Sequence, residues 1–220
     1  DKLKRYSMFI AGVIFSALGI SLITKAGLGT SPITSLAFVL TFIFPHSLGE
    51  FTMLVNTVMF LIQAALLGKA FGKIQLLQLP AALLFSACID GWMYILGFWK
   101  TGSYVGQVLM LLLGCVFLGL GIAFEVIPNV LILPGEGLVR VIAGLTGWRF
   151  GLVKTGFDMS IVASAVGVSL FFTGHVLGIR EGTVLAALIV GSISHFFIEK
   201  VSNVLEGWIP DYSDAGDACP

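Results

Sequence analysis

Seven ionisable side chains stand inside or beside the long apolar runs of this chain: Asp90, Glu136, Arg140, Lys154, Asp158, His195 and Glu199. Placing one of them in a bilayer costs on the order of 2.5–3.5 kcal/mol on insertion scales, so each is a functional candidate by default. Glu136 and Arg140, and Lys154 and Asp158, are spaced four apart on expected helices. Such pairs either form intrahelical ion pairs that ease insertion, or present both signs of charge to a solute. Asp158 and Asn56 are the expected substrate or coupling-ion contacts.

Asp90 and His195 have two readings each. Asp90 lies in Ala-Cys-Ile-Asp-Gly-Trp with Trp92 and Tyr94 close behind, so it marks either the membrane boundary or a functional burial. Histidine is the side chain whose ordinary charge change falls near neutral pH, so His195 either couples protons or packs with a hydrogen bond. Arg180-Glu181-Gly182-Thr183 opens the last span as a polar cap. Asp158, His195 and Asp90 are thus the candidates for proton coupling.

The stretch Gly27-Leu28-Gly29-Thr30-Ser31-Pro32-Ile33-Thr34-Ser35 reads as a loop, a cap and a helix start. Thr30 or Ser31 is suited to accept backbone N–H bonds, and Pro32 fits the first helical position because it lacks an N–H. A helix starting at membrane depth aims its unpaired N–H groups and the positive end of its dipole at an anionic group. The alternative is an ordinary tight turn. Gly29, Thr30, Ser31, Gly135, Glu136 and Arg140 join Asn56 and Asp158 as candidate substrate-binding residues.

The elements that must position these groups are transmembrane helices. The chain is 57% hydrophobic and 11% charged, with a mean hydropathy of +1.02, which leaves too little polar surface for a soluble globule of 220 residues. Six stretches meet the length of a span: Tyr6–Thr24, Phe51–Leu67, Leu76–Phe98, Tyr104–Val126, Leu152–Phe172 and Thr183–Val204. The first is too long for a signal-peptide core and reads as a retained span. Pro32–Phe44 and Gly135–Leu145 are too short to cross and read as re-entrant half-helices.

Charge placement supports six spans. They put Lys2, Lys4, Arg5, Lys69, Lys73, Arg149 and Lys200 on one side and leave Lys25, Lys100 and Arg180 on the other, with both termini cytoplasmic. The tail from Ile209, with Asp211, Asp214 and Asp217, is expected to be disordered.

A displacement that sets Met8 on Met110 also pairs Gly12 with Gly114, Leu18-Gly19-Ile20 with Leu120-Gly121-Ile122, Pro32 with Pro134 and Asn56 with Asp158. A displacement three residues longer sets Asp90 on His195. The expected units are therefore residues 1–101 and 102–204, each with three spans and a half-helix (32–44 and 135–145), followed by an acidic tail, 205–220. Three crossings per unit make the two halves inverted repeats, a plan common among secondary transporters. Gly12, Gly19, Gly114, Gly119 and Gly121 form small-residue faces on spans one and four, suited to close packing or to sliding of one half on the other.

Several function classes are disfavoured. Net charge is zero with no basic stripe, so no nucleic-acid partner is expected. Cys88, Cys115 and Cys219 form no C-x-x-C pair, and no metal or cofactor is expected. Nucleophile, zinc-protease and nucleotide-binding motifs are missing, which disfavours an enzyme and a pump acting alone.

Leu28-Gly29-Thr30-Ser31-Pro32-Ile33, the loop Leu133-Pro134-Gly135-Glu136-Gly137, Lys154 with Asp158, and Arg180-Glu181-Gly182-Thr183-Val184 together resemble the YczE/YyaS/YitT group of bacterial integral membrane proteins. The likeness runs from about Lys4 to Glu199. It implies a multi-pass protein of the bacterial cytoplasmic membrane, and carries over neither substrate nor catalytic residue.

The leading expectation is a secondary transporter of a zwitterionic or carboxylate-bearing metabolite or anion, proton-coupled through Asp158 or His195. A small-anion channel and a membrane-embedded substrate-binding subunit of an ATP-driven uptake complex are the alternatives. Expected partners are the bilayer and the solute, with a homodimer left open.

Overall fold

The computed structural model describes residues 2–99 and 102–205. The acidic tail, with Asp211, Asp214 and Asp217, lies outside the described residues, as do Cys219 and Lys100. Among the described residues the regular structure is entirely helical: α1 (Lys2–Lys25), α2 (Ser35–Ile43, entered through a 3-10 turn at Pro32–Thr34), α3 (Leu48–Leu67), α4 (Gln78–Ile95), α5 (Tyr104–Val126), α6 (Pro134–Thr146), α7 (Phe150–Thr173) and α8 (Glu181–Leu205). Six of these, all but α2 and α6, fall in segments long and apolar enough to cross a membrane. The 13 residues of α6 reach only about 20 Å against a hydrocarbon core of about 30 Å. The protein is an all-α membrane protein, and its lipid-facing surface carries exposed side chains such as Leu109, Leu152, Phe171 and Leu188.

α1 and α5 form the centre. They run antiparallel in tight contact because glycine faces glycine: a Cβ on Gly12 would lie 2.9 Å from Gly121 O, and one on Gly114 would lie 2.8 Å from Gly19 O. Close backbone approach is what small residues provide where lipid offers no hydrophobic drive to associate. Val13, Ala17, Ile20, Ile23, Leu111 and Cys115 fill the remainder of this core. α8 packs on α5, α4 on α1, and α3 on α4 and α6.

Asp90 joins α4 to the start of α3. Its Oδ2 accepts from Ser47 Oγ at 2.6 Å and its Oδ1 from Gly49 N at 2.8 Å, while Ser47 and Glu50 close a capping box on α3. The carboxylate thus satisfies donors that the first turn of any helix leaves unpaired.

At the same end of the bundle, the loop after α1 is tied to the start of α8. Gly182 N donates to Leu28 O at 2.8 Å, Thr30 N to Thr183 Oγ1 at 3.1 Å, and Arg180 Nη1 to Gly27 O at 3.2 Å. Gly29 has φ +126°, and a Cβ there would collide with Thr183 Oγ1, so both conformation and space require glycine.

Candidate functional site

The helix start at Pro32 forms, but not with the expected cap. Ser31 occupies the N-cap position and Pro32 the first turn, yet the Ser31 hydroxyl makes no cap bond to the backbone. It pairs with Thr34 Oγ1 at 2.9 Å, inside a buried chain of hydroxyls in which Thr30 Oγ1 meets Thr24 Oγ1 at 2.8 Å and Thr34 Oγ1 at 3.1 Å. Side-chain hydroxyls have taken one another as partners. On α6, Pro134 again opens the helix, Leu133 holds the N-cap position, and again no side chain caps it. Both helices therefore present first-turn backbone groups without a side-chain cap, at the end where the dipole is positive.

These two ends meet. A Cβ on Gly135 would lie 2.6 Å from Ile33 Cδ1 and 3.4 Å from Met59 Sδ. Around the meeting point lies a cavity of about 430 Å³, within the range of small-molecule sites. All eight helices contribute to its wall, α4 through Phe85.

Most of the residues singled out from the sequence come together on this cavity: Ser31, Asn56, Gly135, Glu136, Arg140, Asp158 and His195 all line it. Asn56 is buried, Glu136 and Asp158 half-buried, and Arg140 and His195 exposed at the rim. Gly29 and Thr30 do not line it; they stand behind the wall, packed against α8. Asp90 is also separated from it and engaged at the start of α3.

Of the two charged pairs spaced four apart, one closes. Lys154 Nζ meets Asp158 Oδ1 at 3.0 Å, with both side chains about a quarter exposed (27% and 23%). Among the described residues no ion pair joins Glu136 to Arg140. Both side chains line the cavity, so these opposite charges remain available to a solute.

One acidic residue escaped the sequence reading. Glu125, one residue before the end of α5, is only 3% exposed and lines the cavity. Its Oε1 accepts from Ser16 Oγ at 2.6 Å. The spacing held the signal: Gly114, Gly121 and Glu125 follow seven and then four residues apart, placing Glu125 on the α5 face that meets α1. A carboxylate at the end of an apolar run looks like a boundary residue, but α5 ends inside the protein and Glu125 is enclosed.

The cavity therefore holds carboxyl groups from α5, α6 and α7, cations from α6 and α7, a histidine from α8, and two helix N-termini. That set can bind a small solute carrying both signs of charge.

Among proteins of known sequence, the chain is 28% identical over 217 residues to the uncharacterized membrane protein YczE of Bacillus subtilis (strain 168), covering 98% of this chain and 95% of that protein. It is 27% identical over 201 residues to the uncharacterized protein YyaS of the same organism, covering 90% and 94%. No solved structure matches the chain. Residues 3–199 match a family of unknown function, DUF6198, and the chain belongs to that family.

Proposed function

We propose that this protein is a secondary transporter of a small zwitterionic or carboxylate-bearing solute. The observation that supports this reading is the cavity of about 430 Å³ at the meeting of the α2 and α6 N-termini, where Glu136, Arg140 and Asp158 supply both signs of charge. First-turn N–H groups and Arg140 receive a carboxylate; Glu136, Asp158 and the Asn56 amide receive an ammonium. No bond of the solute is made or broken in this scheme.

Alternating access would come from the repeat plan. In it, α1–α4 and α5–α8 are halves of opposite topology, with α2 and α6 as broken elements that approach the bilayer midplane from opposite sides. Asp158, held by Lys154, and His195 at the rim are the proton carriers of this reading. The protein would sit in the bacterial cytoplasmic membrane with both termini in the cytoplasm.

The test is uptake into liposomes that contain the purified protein alone. Accumulation of solute driven by a proton gradient supports a secondary transporter. Specific binding without uptake indicates a capture subunit that needs an ATP-driven partner. Uptake that follows the solute's own gradient and ignores the proton gradient indicates a channel. In any of these assays, Asp158→Asn and Asn56→Ala proteins that fold and yet bind normally would show that the site is misplaced.

A further inference from the structure

Beside the main cavity lies a second one of about 200 Å³, lined by the amides of Gln63 on α3, Gln75 in the α3–α4 connection and Gln78 on α4. Gln63 and Gln78 are 2% and 5% exposed. The Oε1 atoms of all three glutamines are buried and have no hydrogen-bond partner in the protein. A buried acceptor left unpaired loses its bonds to water without replacement, so three gathered on one small cavity are a concentrated demand for hydrogen-bond donors.

The backbone is built around these amides. Gly137 sits against them: a Cβ there would lie 2.9 Å from Gln63 Oε1 and 3.2 Å from Gln78 Nε2. The chamber and the main cavity share Leu131, Ile132 and Arg140 as lining residues, so those three form the partition between the two spaces. Leu131 and Ile132 belong to a segment between α5 and α6 with no regular structure, where Asn129 holds φ +46°, a left-handed conformation uncommon for a residue other than glycine, and Arg140 lies on α6.

We propose that the glutamine chamber is a second station on the solute path, taking the hydrogen-bond-donating end of the solute, an ammonium or hydroxyl, on the side of the α3–α4 connection. This rests on the transporter reading. Amide oxygens are acceptors and fit a donor group; Arg140, on the partition, turns toward Glu136 and the other carboxylates of the main cavity when a cationic group passes. The Leu131–Ile132 segment moves with it.

Thiol accessibility tests the chamber without a known substrate. In a protein with Cys88, Cys115 and Cys219 replaced by Ala, Gln63→Cys and Gln78→Cys are exposed to the impermeant reagent methanethiosulfonate ethyltrimethylammonium in vesicles of both orientations. Lys69→Cys, in the α3–α4 connection, and Gly102→Cys, before α5, report the two faces. The expected result is labelling at 63 and 78 from the Lys69 face, its loss from the Gly102 face, and slowing by ethylammonium chloride but not by sodium acetate. Gln75→Cys, at a less buried position, serves if either buried variant fails to fold.

Three thiols unreactive from the Lys69 face, while the Lys69→Cys control reacts, would mean a sealed amide cluster and overturn the proposal. Labelling that ethylammonium leaves unchanged would overturn the donor assignment. Because labelling reads access and not flux, a labelled and protected chamber in a protein that moves no solute in liposomes would reject the transporter reading alone.

Discussion

Ser16 and Glu125, 109 residues apart in the chain, are joined by a 2.6 Å hydrogen bond from Oγ to Oε1 that ties α1 to α5 at the wall of the cavity. It lies on the glycine seam: a Cβ on Gly12 would come within 2.9 Å of Glu125 Cγ, and one on Gly121 would collide with Ser16. Close approach of the two backbones is what brings this hydroxyl within reach of this carboxyl.

Removing the donor leaves the carboxyl buried without its partner. Ser16→Ala is expected to destabilise the protein by about 1–3 kcal/mol, and Glu125→Gln by less, because the amide oxygen still accepts from Ser16. Thermal unfolding in detergent compares the two. Equal losses would show that the hydrogen bond is not what holds Glu125.

The seam itself has no room for a side chain. A Cβ on Gly19 would collide with Leu118 N and lie 2.7 Å from Gly114 O, both backbone atoms that cannot step aside. Gly19→Ala should cost about 1–3 kcal/mol through overpacking. Gly91→Ala, in open space on α4, should be neutral or stabilising by up to about 1 kcal/mol. Similar melting temperatures for the two variants would contradict the seam.

Asp90 acts on the start of α3 and stands away from the cavity. Asp90→Ala is expected to lower stability by about 0.5–2 kcal/mol, as loss of a cap does, and to leave solute affinity unchanged. A melt and a ligand titration on one preparation separate the two effects. A changed pH profile of transport in Asp90→Asn would return Asp90 to the list of proton carriers.

Lys154 and Asp158 are half-buried, so breaking their pair costs more than breaking a surface pair. Lys154→Met should destabilise by about 1–3 kcal/mol, and Lys154→Met with Asp158→Asn should recover most of that loss. A double variant no more stable than the single one would show that Asp158 is stabilised by something other than Lys154.

Much of the architecture was legible in the chain. α5 spans Tyr104–Val126 as expected, and α6 runs Pro134–Thr146 against an expected Gly135–Leu145. Runs of apolar residues report spans directly, and Pro32 and Pro134 report helix starts through their missing N–H. Seven of the expected site residues proved to share one cavity because charged and polar groups in apolar runs must face protein or water.

What was not legible depended on depth and on distant partners. The burial of Glu125 was not legible because the sequence does not show that α5 stops inside the bundle. Thr30 looked like a cap because its hydrogen bonds to Thr24 and Thr34 become visible only once the loop folds back on α1. Gln63, Gln75 and Gln78 carry no charge and lie on three separate elements, so nothing local marks them as one chamber.

Binding of a charged small solute in the cavity is read out by thermal stabilisation of the detergent-purified protein. The panel comprises amino acids, carboxylates, vitamins and inorganic anions, each at acidic and at neutral pH. A ligand bound only by the folded state at a hundredfold excess over its Kd adds about 2.7 kcal/mol of stability, a shift that a melt resolves. The expected result is stabilisation by one class of zwitterion or carboxylate, abolished by Asp158→Asn. Stabilisation that persists undiminished in Asp158→Asn and Asn56→Ala, or a panel that is flat throughout, would contradict it.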